Sequence, residues 1–171
     1  MTPAVDPPPL AVRRARPADV RGIKRLVDAY AGPVLLEKSL ANLYEDVTEF
    51  WVAELDGDIV GCAALHVLWE DLAELRTVAT DPRRRKHGIG HAVCRAVIEE
   101  ARTLGLRRLF CLTFETRFFT YLGFAPIAEL ELSEEASAEL RASYDAGVAE
   151  FLDLPFVKPN TLGNTRMLMQ I

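Results

Sequence analysis

Arg85-Lys86-His87-Gly88-Ile89-Gly90 is the stretch that decides what this chain is built to hold. It follows Glu74 to Thr80, an apolar segment that predicts a strand, and it opens a segment with helical periodicity. A strand, a basic glycine-rich turn and a helix start together make an anion trap. The N–H groups of a first helical turn point along the axis, and the helix dipole favours negative charge there. Glycine lets a bulky phosphate come close to the backbone.

Two nucleotide-binding patterns do not fit the stretch. A P-loop needs Gly-x-x-x-x-Gly-Lys-Ser/Thr, and this spacing is missing from the sequence. A dinucleotide fingerprint needs three glycines inside a parallel strand–helix–strand unit with an acidic residue beyond it. Only Gly88 and Gly90 are present, and the preceding strands read as antiparallel.

Working outward, Leu10 to Ala15 predicts a first strand, and Pro17 suits the first turn of a helix. Val20, Ile23, Val27 and Tyr30 recur at helical spacing, so Ala18 to Ala31 predicts an amphipathic helix ended by Gly32-Pro33. Ser39 caps a second, short helix that runs to Asp46. Phe50 to Leu55 and Ile59 to Trp69 flank Asp56-Gly57-Asp58, a hairpin signal. Ala73 to Thr80 predicts a strand that stops at Asp81-Pro82. In the helix predicted from Gly88 to Leu104, Ile89, Val93, Val97, Ala101 and Leu104 form one stripe, and Gly105 ends it. Arg108 to Thr113 predicts a strand and Thr116 to Leu122 a short helix. After Gly123-Phe124 come a strand to about Glu131, a helix from Ser133 to Tyr144 and a closing strand from Asn164 to Ile171. The fold class is α/β (α+β): a mixed, mostly antiparallel sheet flanked by helices, in one domain over residues 10–171. Met1 to Pro9 is Pro-rich and reads as a disordered leader.

Composition narrows the function. At 171 residues the chain can bury one full core. A net charge of −5 argues against a nucleic-acid binder, which carries a basic excess. The local cluster Arg83 to Lys86 suits a small polyanion better than a polymer. No apolar run reaches the roughly 20 residues that span a bilayer, and no signal-peptide pattern opens the chain, so no membrane role is read. Cys62, Cys94 and Cys111 are scattered and lack metal-site spacing. They read as buried hydrophobes in a reducing, cytoplasmic protein without a metal. The apolar hairpin segment Ile59 to Trp69 can support a homodimer.

The loop, its place after strand and Asp-Pro, and Gly123-Phe124 after the next strand carry a family resemblance. Arg85 to Gly90 resembles the acyl-CoA pyrophosphate loop of the GNAT N-acetyltransferases, whose pattern is Gln/Arg-x-x-Gly-x-Gly/Ala. The element order over Leu10 to Glu131 is similar to that fold. The resemblance implies acetyl-CoA as donor substrate. It implies that Arg85, Lys86, His87, Gly88, Ile89 and Gly90 hold the pyrophosphate through main-chain N–H groups, with His91 adding another. Val78, Ala79 and Thr80 would pair with the pantetheine amides where the family's central strands separate at a bulge. Arg83, Arg84 and Lys86 are candidates for the 3′-phosphate.

Acetyl transfer needs a deprotonated amine, a donor for the thioester oxygen and a proton for the departing thiolate. Glu74 falls where several family members carry their base. Arg76 lies two residues on, on the same strand face. It can hold a substrate carboxylate as a bidentate pair, or it can neutralise Glu74. The family's usual acid is a Tyr five residues before the Phe of Tyr-x-x-Leu-Gly-Phe. Phe119 holds that place here and cannot donate, and Tyr121 is two positions off. The thiolate is then protonated by water or by the zwitterionic intermediate.

Leu35-Leu36-Glu37-Lys38-Ser39, Glu74-Leu75-Arg76, Phe118-Phe119, and the tail Lys158-Pro159-Asn160 through Asn164-Thr165-Arg166-Met167-Leu168 narrow the resemblance. They are similar to short, single-domain amino-acid N-acetyltransferases of the N-acetylglutamate synthase type. That resemblance implies acetylation of the α-amine of glutamate or a close analogue, the first step of arginine synthesis. Lys38, Arg76, Lys158 and Arg166 are the candidate cations for the substrate carboxylates. A non-catalytic acetyl-CoA-binding domain is one alternative. An acetyltransferase acting on a protein N-terminus or another small amine is a second.

Overall fold

The computed structural model describes residues 9–32, 34–143 and 163–171. Its strands are β1 (Ala11–Arg14), β2 (Phe50–Leu55), β3 (Asp58–Trp69), β4 (Leu72–Thr80), β5 (Arg108–Thr113), β6 (Ala125–Pro126) and β7 (Thr165–Gln170). Its α-helices are α1 (Val20–Asp28), α2 (Leu40–Glu45), α3 (Ile89–Thr103), α4 (Thr116–Leu122) and α5 (Glu134–Arg141). The seven strands follow the order β1-β2-β3-β4-β5-β7-β6. β4 and β5 run parallel. The pairs β1–β2, β2–β3, β5–β7 and β6–β7 are antiparallel. This is the mixed, mostly antiparallel sheet that the element order predicts.

The chain forms two compact units. One takes the residues up to Ala64 together with Thr77–Val97. Its core is built by Val20, Ile23, Leu26 and Val27 of α1, Leu43 of α2, Phe50 and Val52 of β2, and Cys62 and Ala64 of β3. The hairpin between β2 and β3 turns at Asp56 and Gly57, with φ of 54° and 81°, the left-handed pair that a tight two-residue turn demands. Ser39 caps α2 by accepting from the Asn42 N–H at 3.1 Å. Two glycines permit close packing. A Cβ on Gly22 would lie 2.9 Å from Ile59 Cβ, and one on Gly61 would lie 2.4 Å from Ile89 Cγ2. Gly61 thus makes room for the first residue of α3.

The other unit takes Leu65–Arg76 and the residues from Ile98 onward. Leu68, Leu72, Phe110 and Leu140 form its core, with Ile127, Leu130 and Leu132 packed against them. Arg108 binds Asp71 at 2.9 Å through Nε and the Glu131 carbonyl at 2.7 Å through Nη1. Gly123 ends α4 at φ 105°.

The structure corrects three boundaries. α1 stops at Asp28, before Ala31: the Tyr30 N–H donates to the Val27 carbonyl, three residues back, at 3.0 Å, which tightens the last turn and leaves the four-residue ladder. Leu104 does not close the α3 stripe. It lies past the helix end and is 56 % exposed, and Leu106 is buried in its stead. The strand predicted to reach Glu131 shortens to Ala125–Pro126, with one further bond from Ile127 N to Arg166 O. Past that bond the apolar residues turn into the core rather than along β7. Met1–Pro8, Tyr144 at the predicted end of α5, and residues 145–162 lie outside the described residues.

Asp81 ends β4. Its carboxylate accepts from the Arg83 N–H at 2.9 Å and from the Arg83 guanidinium at 3.1 and 2.8 Å. These bonds hold it down at about 2. A depressed carboxyl stabilises the fold fully above the ordinary carboxylate range, and that support disappears as pH falls through its folded value. Asp81→Ala should cost about 1 kcal/mol at neutral pH, as capping losses do. In thermal melts the gap from the parent should close toward pH 2; a gap independent of pH would contradict the charge-based account. Gly61→Ala should destabilise by about 1–3 kcal/mol through overpacking. Adding Ile89→Ala should return part of that loss, whereas strictly additive losses would show that the Ile89 contact is not the cause.

Candidate active site

The residues expected on the donor side belong to the first unit. β4 runs regularly until Thr77, whose φ of 56° places a β-branched residue in the left-handed region. Such a residue is a backbone outlier held by its surroundings. One of those surroundings is Cys62, whose Sγ lies 3.6 Å from the Thr77 carbonyl. Burial pushes the Cys62 thiol up to about 12, so it keeps its proton and remains a donor. Beyond Thr77 come Val78, Ala79 and Thr80. Ala79 is buried, and the other two are half-buried.

The loop follows from Asp81. Its N–H donates to the Val60 carbonyl at 2.9 Å, which ties the loop's start to β3. Pro82–Arg84 make one 3₁₀ turn. Arg85, Lys86, His87 and Gly88 are exposed. Lys86 at φ 67° and Gly88 at φ 74° curl the backbone. His87 Nδ1 lies 2.8 Å from the Arg85 carbonyl. The bond Ala92 N to Gly88 O at 3.0 Å starts the α3 ladder, so the N–H groups of Ile89 and Gly90 stand ahead of it. Ile89 is 3 % exposed and anchors the turn in the space left by Gly61. His91 is half-buried in the first turn of α3. The loop is therefore an exposed, curled backbone on a fixed base, a geometry suited to an anion.

Among the loop cations, Arg83 spends its guanidinium on Asp81. Arg84 is half-buried, and Arg85 and Lys86 are exposed. Lys38, in the same unit, has its Nζ 3.3 Å from Asp46 Oδ2, with both side chains partly buried.

The other candidate residues belong to the second unit. Glu74 and Arg76 lie on the first half of β4, two residues apart on one face, with Glu74 opposite Phe110 of β5. They are 5 % and 9 % exposed. Arg76 Nη1 stands 3.8 Å from Glu74 Oε2, an ion pair longer than a hydrogen bond. Arg166 sits on β7 opposite Leu112 and is half-buried. Lys158 lies outside the described residues. Phe119 is buried, and its ring meets Phe118 and Phe124 edge-on at 5.1 and 5.5 Å. Tyr121 is 86 % exposed, so it does not replace the missing acid in the Phe119 cluster. Among the described residues no group of three or more His, Cys, Asp or Glu is placed to hold a metal ion. No described helix is long and apolar enough to cross a membrane.

Sequence reasoning passed over Thr77, Asp81 and Gly61, which shape the end of β4 and the base of the loop. Asp before Pro-Arg carried a usable signal, because a short acidic side chain there can cap the turn that follows. Thr77 carried none, since nothing in a β-branched residue announces a left-handed backbone.

The acetyltransferase (GNAT) family model matches residues 22–124. A relative from Mycobacterium tuberculosis named amino-acid acetyltransferase is 59 % identical over 161 residues, 92 % of each chain. A crystal structure from the same organism, in complex with CoA and NLQ, superposes with a TM-score of 0.91 at 58 % identity and covers 94 % of this chain and 99 % of that one. An N-acetylglutamate synthase from Neisseria gonorrhoeae, complexed with coenzyme A and N-acetyl-glutamate, gives a TM-score of 0.75 at 26 % identity. It covers 95 % of this chain, which spans 35 % of the synthase. By sequence and by fold, the chain belongs to the GNAT acetyltransferase family.

Proposed function

We propose that this protein transfers the acetyl group of acetyl-CoA to the α-amine of glutamate or a close analogue, the first step of arginine biosynthesis, in the cytoplasm. The observation that carries the proposal is the buried Glu74–Arg76 pair on β4. A carboxylate and a guanidinium on one strand face offer both things that an acidic amino acid needs: a proton acceptor for its ammonium and a cation for a carboxylate. The named relatives support the same acceptor class.

On this reading the main-chain N–H groups of Arg85 to His91 hold the pyrophosphate, and Val78, Ala79 and Thr80 align the pantetheine. Glu74 takes the amine proton, directly or through water. The nitrogen lone pair then attacks the thioester carbon and forms a C–N bond. A zwitterionic tetrahedral intermediate results, and its collapse breaks the C–S bond. Phe119 has no proton to give, so the departing thiolate takes one from the intermediate's own ammonium or from water. Arg76, Lys38, Arg166 and Lys158 are the proposed carboxylate partners.

The second reading is an acetyl-CoA-binding protein without turnover, and the buried Phe119 in place of an acid is what favours it. Thiol release from acetyl-CoA, measured against each of the twenty amino acids and a peptide amine, separates the two. Release with glutamate or glutamine supports the proposal. CoA binding without release for any amine supports the second reading, and release with the peptide amine alone would redirect the acceptor.

Glu74→Gln should lower kcat/KM at neutral pH by about 10²–10⁴-fold, the range for loss of a positioned base. The deficit should narrow as pH rises and free amine accumulates. A neutral-pH value equal to the parent's would remove Glu74 from the role. Arg76→Ala should raise the amino-acid KM by about 10–100-fold, as loss of a charged hydrogen bond does, while the dissociation constant of CoA holds. An unchanged amino-acid KM would return Arg76 to a purely structural task.

A further inference from the structure

Tyr30 lies two residues past the end of α1, and its ring packs against the first unit's core. Its hydroxyl donates to the Thr80 carbonyl at 2.8 Å, across 50 positions of sequence. The Thr80 carbonyl and the Asp81 N–H belong to one planar peptide unit. That N–H donates in turn to the Val60 carbonyl at 2.9 Å. The last peptide of β4 is therefore gripped at both of its polar groups, by α1's end on one side and by β3 on the other. A planar unit held at both ends cannot rotate, so the residues before it keep one orientation. Past Thr77 this segment has already left regular strand geometry, so an added clamp has a reason to exist there.

We propose that Tyr30 is a positioning residue for the acyl donor: its phenol fixes the Thr80–Asp81 peptide and thereby aims the main chain of Val78 to Thr80 at the pantetheine arm. The proposal rests on the donor assignment above and adds a side chain to it.

The test is Tyr30→Phe, which keeps the ring in the core and removes only the donor. The acetyl-CoA KM should rise three- to tenfold, with kcat and the amino-acid KM within twofold of the parent. S-acetyl-pantetheine, which has the arm but no nucleotide, should lose kcat/KM by the same factor. Adenosine 3′,5′-bisphosphate, which has the nucleotide but no arm, should keep its inhibition constant. A fluorinated tyrosine at position 30, whose phenol ionises near neutral pH, gives a second variant that retains the ring. Its acetyl-CoA KM should climb as pH crosses that ionisation, since a phenolate cannot donate. An acetyl-CoA KM that stays at the parent's value in both variants would overturn the proposal. So would a proportional rise in both substrates' KM values, the mark of general destabilisation. A parent protein that binds no CoA would sink the donor assignment itself, an outcome distinct from either.

Discussion

The left-handed backbone at Thr77 is the constraint on which the arrangement of β4 depends. A β-branched residue in that conformation costs about 1–3 kcal/mol, and the surrounding structure must supply it. The surroundings here are specific. The Cys62 thiol meets the Thr77 carbonyl, Ala79 is buried in the first unit's core, and the Thr80–Asp81 peptide is gripped by Tyr30 and Val60. In return, one strand holds both sets of candidate groups. Ahead of Thr77 it keeps regular alternation, pairs with β5 and presents Glu74 and Arg76 on one face. After Thr77 its main chain is proposed to serve the acyl donor.

What the sequence made legible follows the strength of local physics. The hairpin signal at Asp56-Gly57 holds, with the turn one residue tighter than expected because β3 begins at Asp58; the Ser39 cap, the Gly123 stop and the β5 and α4 boundaries rest on residues with few alternatives and stand as predicted. Failures occur where a distant partner decides. Tyr30 fits the helical stripe by spacing, yet its N–H turns to the Val27 carbonyl three residues back, and its hydroxyl reaches Thr80 across the sequence. Leu104 fits the α3 stripe by spacing, yet the helix stops one residue short of it and Leu106 takes the buried place. The exposed, curled turn before α3 was readable because glycines, cations and a helix start coincide in six residues. Its base was not, because Gly61 and Ile89 are 28 residues apart and only the fold brings them together.

Charge on the loop is also less than the sequence suggests. Arg83 to Lys86 reads as four consecutive cations on an acidic chain. Asp81 captures the first of them in a three-point contact, and the same contact shapes the turn. Three cations then remain beside the exposed turn, and on the proposed reading its main-chain N–H groups do the close work. That division suits a ligand with a buried pyrophosphate and an outer phosphate. Interaction with an exposed phosphate is screened over about 10 Å of salt solution, whereas main-chain contacts are short and directional.

The acceptor side carries the same lesson about cations with prior partners. Lys38 is held by Asp46, and Arg76 faces Glu74. A guanidinium has five N–H donors in a planar fork, so on the proposed reading Arg76 serves both Glu74 and a substrate carboxylate. A lysine is a compact charge, and Asp46 competes directly for it. A substrate with a neutral or cationic side chain would leave such cations as they are, with nothing gained on binding. A dicarboxylate offers each of them a second anion. The desolvation of Glu74 and Arg76 is already met in the folded chain, so the free energy of that new contact goes into holding the substrate rather than into drying the strand. On the proposed reading, selectivity for an acidic amino acid comes from cations kept in place by their own carboxylates, and Glu74 on β4 takes the proton.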